Sequence, residues 1–124
     1  MLATDHIQLA KQFLVDADRE LEDGDVFQAS EKLWGAASHV VIAEMHRREI
    51  KQSGHRAMVR SVGHFGEDFN DPVLRPLFSS AEILHANFYH GFLENEDVKE
   101  HRDSVNVFVN RMVELIDRRN GAEN

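Results

Sequence analysis

The chain has 124 residues, of which 42% are hydrophobic and 29% are charged, and its formal net charge at pH 7 is −8. The length predicts a single domain over residues 1–124 with a hydrophobic core of its own. The negative charge argues against a protein that wraps non-specifically around nucleic acid, so no DNA partner is expected. The lack of cysteine excludes disulfides and thiolate zinc sites, and no apolar run is long enough to span a bilayer, which together favour a cytoplasmic protein without a membrane partner.

Apolar residues recur with the helical period throughout the chain, and strand-like alternation is nowhere sustained. The first helix is expected to follow an N-cap at Thr4 and to stop at Gly24, since glycine accepts a left-handed backbone. Asp25 then caps a second helix that runs to about Ile50. The short turn between them predicts an antiparallel hairpin.

A break at Ser53-Gly54 separates the second helix from a third, short helix predicted over residues 55–69. Two glycines inside this segment lower its helix propensity. The prolines at 72 and 76 predict a turn over residues 72–75, because proline disrupts a helix beyond its first turn. A continuous fourth helix is expected to follow, ending at about Leu93.

A last helix is predicted to start in the acidic segment 94–97, because negative charge suits a helix N-terminus. It is expected to run to about Arg119, and the tail over residues 120–124 is expected to fray. The predicted fold class is therefore all-α, an up-and-down bundle of four main helices plus a short variable helix.

The fourth helix places an imidazole, a carboxamide and a phenol within five residues, at His85, Asn87 and Tyr89. Buried polar groups are costly unless they are hydrogen-bonded, so these residues either form a structural network or line a binding site. His85 and Tyr89 share a helix face because they are four residues apart, whereas Asn87 faces elsewhere and could reach a neighbouring helix. His85 is the candidate catalytic residue, as a general acid or base.

Glu82 and His85 form a Glu-x-x-His pair, the spacing found in di-iron helical bundles. Such sites need a second pair of this kind, which the sequence lacks, so no metal ligand is assigned. His39 and His46 are seven residues apart on one helix face, with no obvious third ligand.

The second helix supplies further binding candidates. Ser30 and Glu31 lie near its start, and Glu31 either pairs with a basic group across the bundle or is solvated. Trp34 is more typical of a core or an interface than of a ligand platform. Motifs for a nucleophile elbow, a phosphate loop or a dinucleotide turn are absent from the sequence, and no cofactor is expected.

Two segments resemble small HEPN-like proteins, especially their PaREP-type branch. The segment GDVFQASEKLWGAA at 24–37 resembles the second helix of that branch, and FSSAEILHANFY at 78–89 resembles its later core helix. The resemblance implies a domain of four to five helices that is usually a homodimer. HEPN proteins include RNases, toxins paired with minimal nucleotidyltransferases, and non-catalytic binding modules.

RNases of this family carry an Arg followed, after four to six residues, by a His, and this chain departs from the pattern. Before His85 the Arg would fall at 78–80, which hold Phe, Ser and Ser. Three residues separate Arg60 from His64, and seven separate Arg56 from it. Only His85 therefore matches the motif, and no arginine at the usual spacing can stabilise charge beside it.

The sequence thus favours a cytoplasmic, homodimeric HEPN-like module, related to toxin–antitoxin systems, that binds a nucleotide, an RNA or a protein such as a nucleotidyltransferase without catalysis. The alternative is a divergent, metal-independent RNase of toxin type that uses His85 with a non-local arginine, either Arg56, Arg60 or Arg75 of the partner subunit. A metal-binding bundle around Glu82 and His85 is a third hypothesis.

A homodimer is also expected from the apolar surface. The second helix is apolar around a wide arc, and Phe88, Tyr89 and Phe92 exceed what one bundle needs. Exposed apolar patches of this kind usually mark interfaces.

Overall fold

The computed structural model describes residues 2–51 and 54–123, the side chains to residue 121, and within these ranges it contains five α-helices and no strand. The all-α class is therefore confirmed. The predicted break at Ser53 lies outside the described residues. The helices are α1 (Ala3–Glu22), α2 (Val26–Arg47), α3 (His55–Asp68), α4 (Leu74–His90) and α5 (Asn95–Glu123).

The start of α1 differs from the prediction of an N-cap at Thr4. Leu2 is the N-cap residue, and its backbone N–H donates to the carboxylate of Asp5 at 3.0 Å. The earlier start arises because Asp5 satisfies a free amide of the first turn, which removes the need for a capping side chain at residue 4.

The turn between α1 and α2 follows the sequence pattern. Gly24 adopts a φ of 81°, and the Asp25 carboxylate accepts a hydrogen bond from the backbone N–H of Gln28 at 3.0 Å. His6 contacts His39, and Phe13 packs beside Gly35, so α1 and α2 run antiparallel.

The central helix of the fold is α2, which packs against each of the other four helices. This explains its wide apolar arc, since more than one of its sides is covered. The side chain of Trp34 is 8% exposed and belongs to the core. The core residues of α2 are mostly small or β-branched, namely Ala29, Leu33, Ala36, Ala37, Val40, Val41 and Ala43.

The ends of α4 also differ from the prediction. The helix begins at Leu74, so Pro76 lies in its first turn, where the missing N–H removes no intrahelical hydrogen bond. It ends at His90, three residues before Leu93, because Gly91 takes the left-handed conformation with a φ of 60°. The last helix, α5, starts at Asn95 and continues to Glu123, which is beyond the predicted end at about Arg119.

Ion pairs connect helices that are far apart in the sequence. Arg102 on α5 forms two hydrogen bonds to Asp18 on α1, at 2.8 and 2.9 Å, and these bonds raise the pKa of the Arg102 guanidinium. Arg111 binds the buried Asp71 in the same two-pronged manner at 2.9 Å. Paired hydrogen bonds of this kind fix orientation as well as distance, so they hold α5 in register.

Candidate functional site

His85 lies where α4 faces α2. Its imidazole stacks on the indole of Trp34, with ring centroids 4.6 Å apart and planes inclined by 20°. Tyr89, one helical turn later, contacts His85 edge-on at 5.3 Å. The two side chains therefore share one face of α4, as their spacing predicts, and Trp34 lies beneath them as well as in the core.

Glu31 approaches His85 from α2. Its Oε2 atom lies 3.4 Å from Nδ1 of the imidazole, at the outer limit of a hydrogen bond. Both atoms are buried, and within the described residues neither has a hydrogen-bond partner. The sequence left open whether Glu31 faces a basic group across the bundle or is solvated. In the structure Glu31 faces His85 across the interface between α2 and α4.

A second imidazole, which the sequence did not reveal, joins this site. His55 is the first residue of α3, and its ring lies 5.2 Å from Trp34 and 6.3 Å from His85. Its Nε2 atom lies 2.8 Å from a carboxylate oxygen of Glu82 on α4. No sequence spacing connects a residue at the start of α3 with a turn of α4, so only the packing of the two helices reveals the pair.

Arginine also reaches this region, from within the same chain. Arg75 donates from Nη1 to Glu82 Oε1 at 2.9 Å and to the Ser79 hydroxyl at 2.9 Å. Glu82 therefore binds His55 with one oxygen and Arg75 with the other. The positive charge of Arg75 is offset by this carboxylate.

We call Trp34, His55, His85 and Tyr89 the aromatic site, with Glu31, Glu82 and Arg75 at its edge. The side chain of His55 is 46% exposed, and Tyr89 is 67% exposed, so the site is open to solvent. Two carboxylates and one arginine flank it. Such a surface offers ring faces and hydrogen-bond acceptors in greater number than cationic groups.

Asn87 and Ser30, the other two candidates, lie apart from the aromatic site. Both are buried, and the Asn87 amide donates to the Ser30 hydroxyl at 3.2 Å. The Asn87 carbonyl accepts hydrogen bonds from the backbone N–H groups of Phe92 and Leu93, at 2.9 and 2.8 Å. This network joins α2 to the loop after α4.

The carboxylate of Glu82 is bound to His55 and Arg75, which leaves it poorly placed as a metal ligand beside His85. Across residues 2–51 and 54–121, no group of three or more His, Asp or Glu side chains is arranged to hold a metal ion. Among the helices of these described residues, none is both long enough and apolar enough to cross a membrane.

The model of the archaeal PaREP1/PaREP8 family matches residues 5–109. The chain belongs to this family. The matched segment includes the whole aromatic site and its three charged neighbours, and it confirms the predicted PaREP-type branch. No curated protein matches the chain.

The chain also resembles a crystal structure of a protein from Sulfolobus solfataricus. The TM-score is 0.78 with 21% sequence identity, and the match covers 87% of this chain and 96% of the other. At this identity the likeness shows a shared fold.

Proposed function

We propose that this PaREP1/PaREP8 protein is a homodimeric, HEPN-like module, one domain folded as an up-and-down bundle, that binds a nucleotide or the unpaired bases of an RNA in the cytoplasm without cleaving them. The observation that carries the proposal is the solvent-open aromatic site. Bases stack on aromatic side chains with about 1–3 kcal/mol per base, largely independently of sequence. A nucleotidyltransferase partner of toxin–antitoxin type remains part of the same proposal.

The charges around the aromatic site support recognition of bases over the binding of a phosphate backbone. The carboxylate of Glu31, whose side chain is 32% exposed, can accept a hydrogen bond from a base N–H group, as carboxylates do at exocyclic amines. Arg75 is held by Glu82, so its charge is partly neutralised before a ligand arrives. A chain of net charge −8 gains little from counterion release.

Trp34 is the single tryptophan of the chain and therefore reports directly on the site. Nucleoside monophosphates and a short single-stranded RNA, added at pH 7.5, are expected to change its fluorescence in a saturable manner. Tyr89→Ala removes one exposed ring and is expected to weaken binding about tenfold, whereas Tyr89→Phe keeps most of the affinity. His90→Ala, at the adjacent exposed position, is the matched control.

Two results would contradict this proposal. If neither the nucleotides nor the RNA binds saturably, the protein does not bind this class of ligand. Equal losses in Tyr89→Ala and His90→Ala would place the ligand away from the aromatic site.

A second candidate function is RNA cleavage without a metal, favoured by the two imidazoles. The ring centroids of His55 and His85 lie 6.3 Å apart, and each ring is beside a carboxylate. One imidazole could therefore take the proton of a ribose hydroxyl while the other protonates the leaving oxygen. Arg75 would supply the non-local arginine, but its bond to Glu82 opposes this role.

Incubation of the protein with single-stranded RNA in the presence of EDTA separates the two functions. The binding module leaves the RNA intact. Cleavage that persists in EDTA and is lost in both His55→Ala and His85→Ala would show that the protein is an RNase and not a non-catalytic binding module.

A further inference from the structure

A second histidine cluster lies between α1 and α2, whereas the aromatic site lies between α2, α3 and α4. His6 is 7% exposed, and its Nδ1 atom lies 2.9 Å from Nδ1 of His39. The two rings are stacked at 5.2 Å, and the ring of His46 meets His6 edge-on at 4.9 Å. The sequence pattern showed the two histidines of α2, and packing adds the third from α1.

The contact between His6 and His39 depends on protonation. Of two facing Nδ1 atoms one must donate a hydrogen and the other must accept it, so the accepting imidazole is neutral. When both rings are protonated, the acceptor is lost and two positive charges lie against each other in a largely buried position. Protonation therefore converts an attraction between α1 and α2 into a repulsion.

The charged and titratable groups around His6 favour the neutral state. Desolvation of the buried ring lowers the pKa of His6 most strongly, followed by the nearby imidazoles of His39 and His46. Asp5 is the opposing group, and its carboxylate already accepts a hydrogen bond from the Leu2 amide. Burial likewise lowers the pKa of His39.

The N-terminal half of α1 relies on α2 for its attachment. The paired hydrogen bonds between α1 and α5 lie at Asp18, in the C-terminal half of the helix. Nearer the start of α1, His6 contacts His39, the ring of Phe13 packs beside Gly35, and the small or aliphatic side chains of Ala3, Ile7 and Ala10 pack in or against the core. Loss of the histidine contact therefore weakens this end first.

We propose that His6, His39 and His46 form a pH-sensitive clasp, which holds the N-terminal half of α1 on α2 at neutral pH and loosens it in mild acid. When the segment is released, His6 and His39 regain the ordinary histidine pKa of about 6.5, which exceeds the pKa of each in the docked state. The released form thus binds more protons, so docking is strongest above about pH 6.5 and weakens as the pH falls below it.

Amide hydrogen exchange of the whole protein at pH 7.5 and at pH 5.8, corrected for the intrinsic rate, tests the clasp. Protection of residues 3–13 is expected to fall at least fivefold more than protection of residues 98–116. The double variant His6→Gln/His39→Gln can keep a side-chain hydrogen bond but cannot titrate, so the extra loss of protection over residues 3–13 at pH 5.8 should disappear. The control His64→Gln, which replaces an exposed histidine on α3, should keep that extra loss.

An equal change in both segments, or an unchanged pH response in the double variant, would overturn the clasp. NMR titration of the wild-type imidazoles gives a measurement that does not depend on the variants folding. His6 and His39 are expected to titrate below the ordinary histidine pKa of about 6.5, because burial lowers the pKa of both. Titration of both rings at or above that pH would equally overturn the clasp, without bearing on nucleotide binding.

Discussion

The carboxamide of Asn87 is 1% exposed, and each of its polar atoms is hydrogen-bonded. Its carbonyl oxygen serves the two amides that follow the left-handed Gly91, and its nitrogen reaches the Ser30 hydroxyl on α2. That hydroxyl in turn donates to the carbonyl of Val26 at 2.8 Å. One side chain thus closes the end of α4 and attaches it to α2.

Asn87→Ala should therefore lower the free energy of unfolding by about 2–3 kcal/mol, because it leaves two loop amides without an acceptor. Urea denaturation followed by circular dichroism measures the loss. Asn106→Ala, which removes a single side-chain bond to the Arg102 carbonyl within α5, is the control and should cost less than 1 kcal/mol. Equal losses would mean that the network around Asn87 adds nothing beyond one hydrogen bond.

The polar cluster around His85 and its division between two helix faces could be predicted from the sequence, but which of the two faces is buried could not. Helical spacing correctly placed His85 and Tyr89 on one face and Asn87 on another. Which face is buried depends on the partner helices, and the same is true of Glu31. His55 was out of reach because its neighbour Glu82 is 27 residues away in the sequence.

At the scale of the helices, the sequence predicted their number and approximate centres better than their ends. The period of apolar residues is repeated over many positions, whereas a helix end depends on one or two local bonds. Asp5 moves the start of α1, and Asn87 with Gly91 moves the end of α4. These bonds depend on side-chain positions that hydrophobic periodicity does not describe.

Two glycine substitutions, one at the end of α4 and one inside α3, test where the fold needs the conformational freedom of glycine. Gly91→Ala is expected to destabilise the fold by about 1–2 kcal/mol, because an L residue is strained in the left-handed conformation. The new Cβ would also lie 3.1 Å from the ring of Phe27. Gly63→Ala, inside α3 and in open space, should instead stabilise the fold by about 1 kcal/mol.

Thermal unfolding of both variants under the same conditions shows whether each substitution raises or lowers the stability. A melting temperature that rises in Gly91→Ala would show that the left-handed turn is not what ends the helix. A fall in Gly63→Ala would show that α3 needs a glycine there for a reason other than backbone conformation.

At the scale of the whole molecule, the exposed aromatic residues are gathered near one end of α4. Tyr89 and Phe92 are 67% and 56% exposed, and Phe27, which packs against Gly91, is 47% exposed. We call these three residues the apolar patch. Because Tyr89 belongs both to the patch and to the aromatic site, association through the patch would bring the aromatic sites of two subunits close together.

If the apolar patch is the homodimer interface, Phe92→Asp should convert the dimer to a monomer, because it puts a charge into a surface that association would bury. Sedimentation equilibrium over a hundredfold range of concentration measures the change. Val15→Asp, at a 52% exposed position on α1, is the matched control and should leave the dimer intact. Circular dichroism checks that both variants keep their helices, since Phe92 lies in a loop. A wild-type chain that sediments as a monomer throughout, or dissociation by both substitutions alike, would show that the apolar patch is not a homodimer interface.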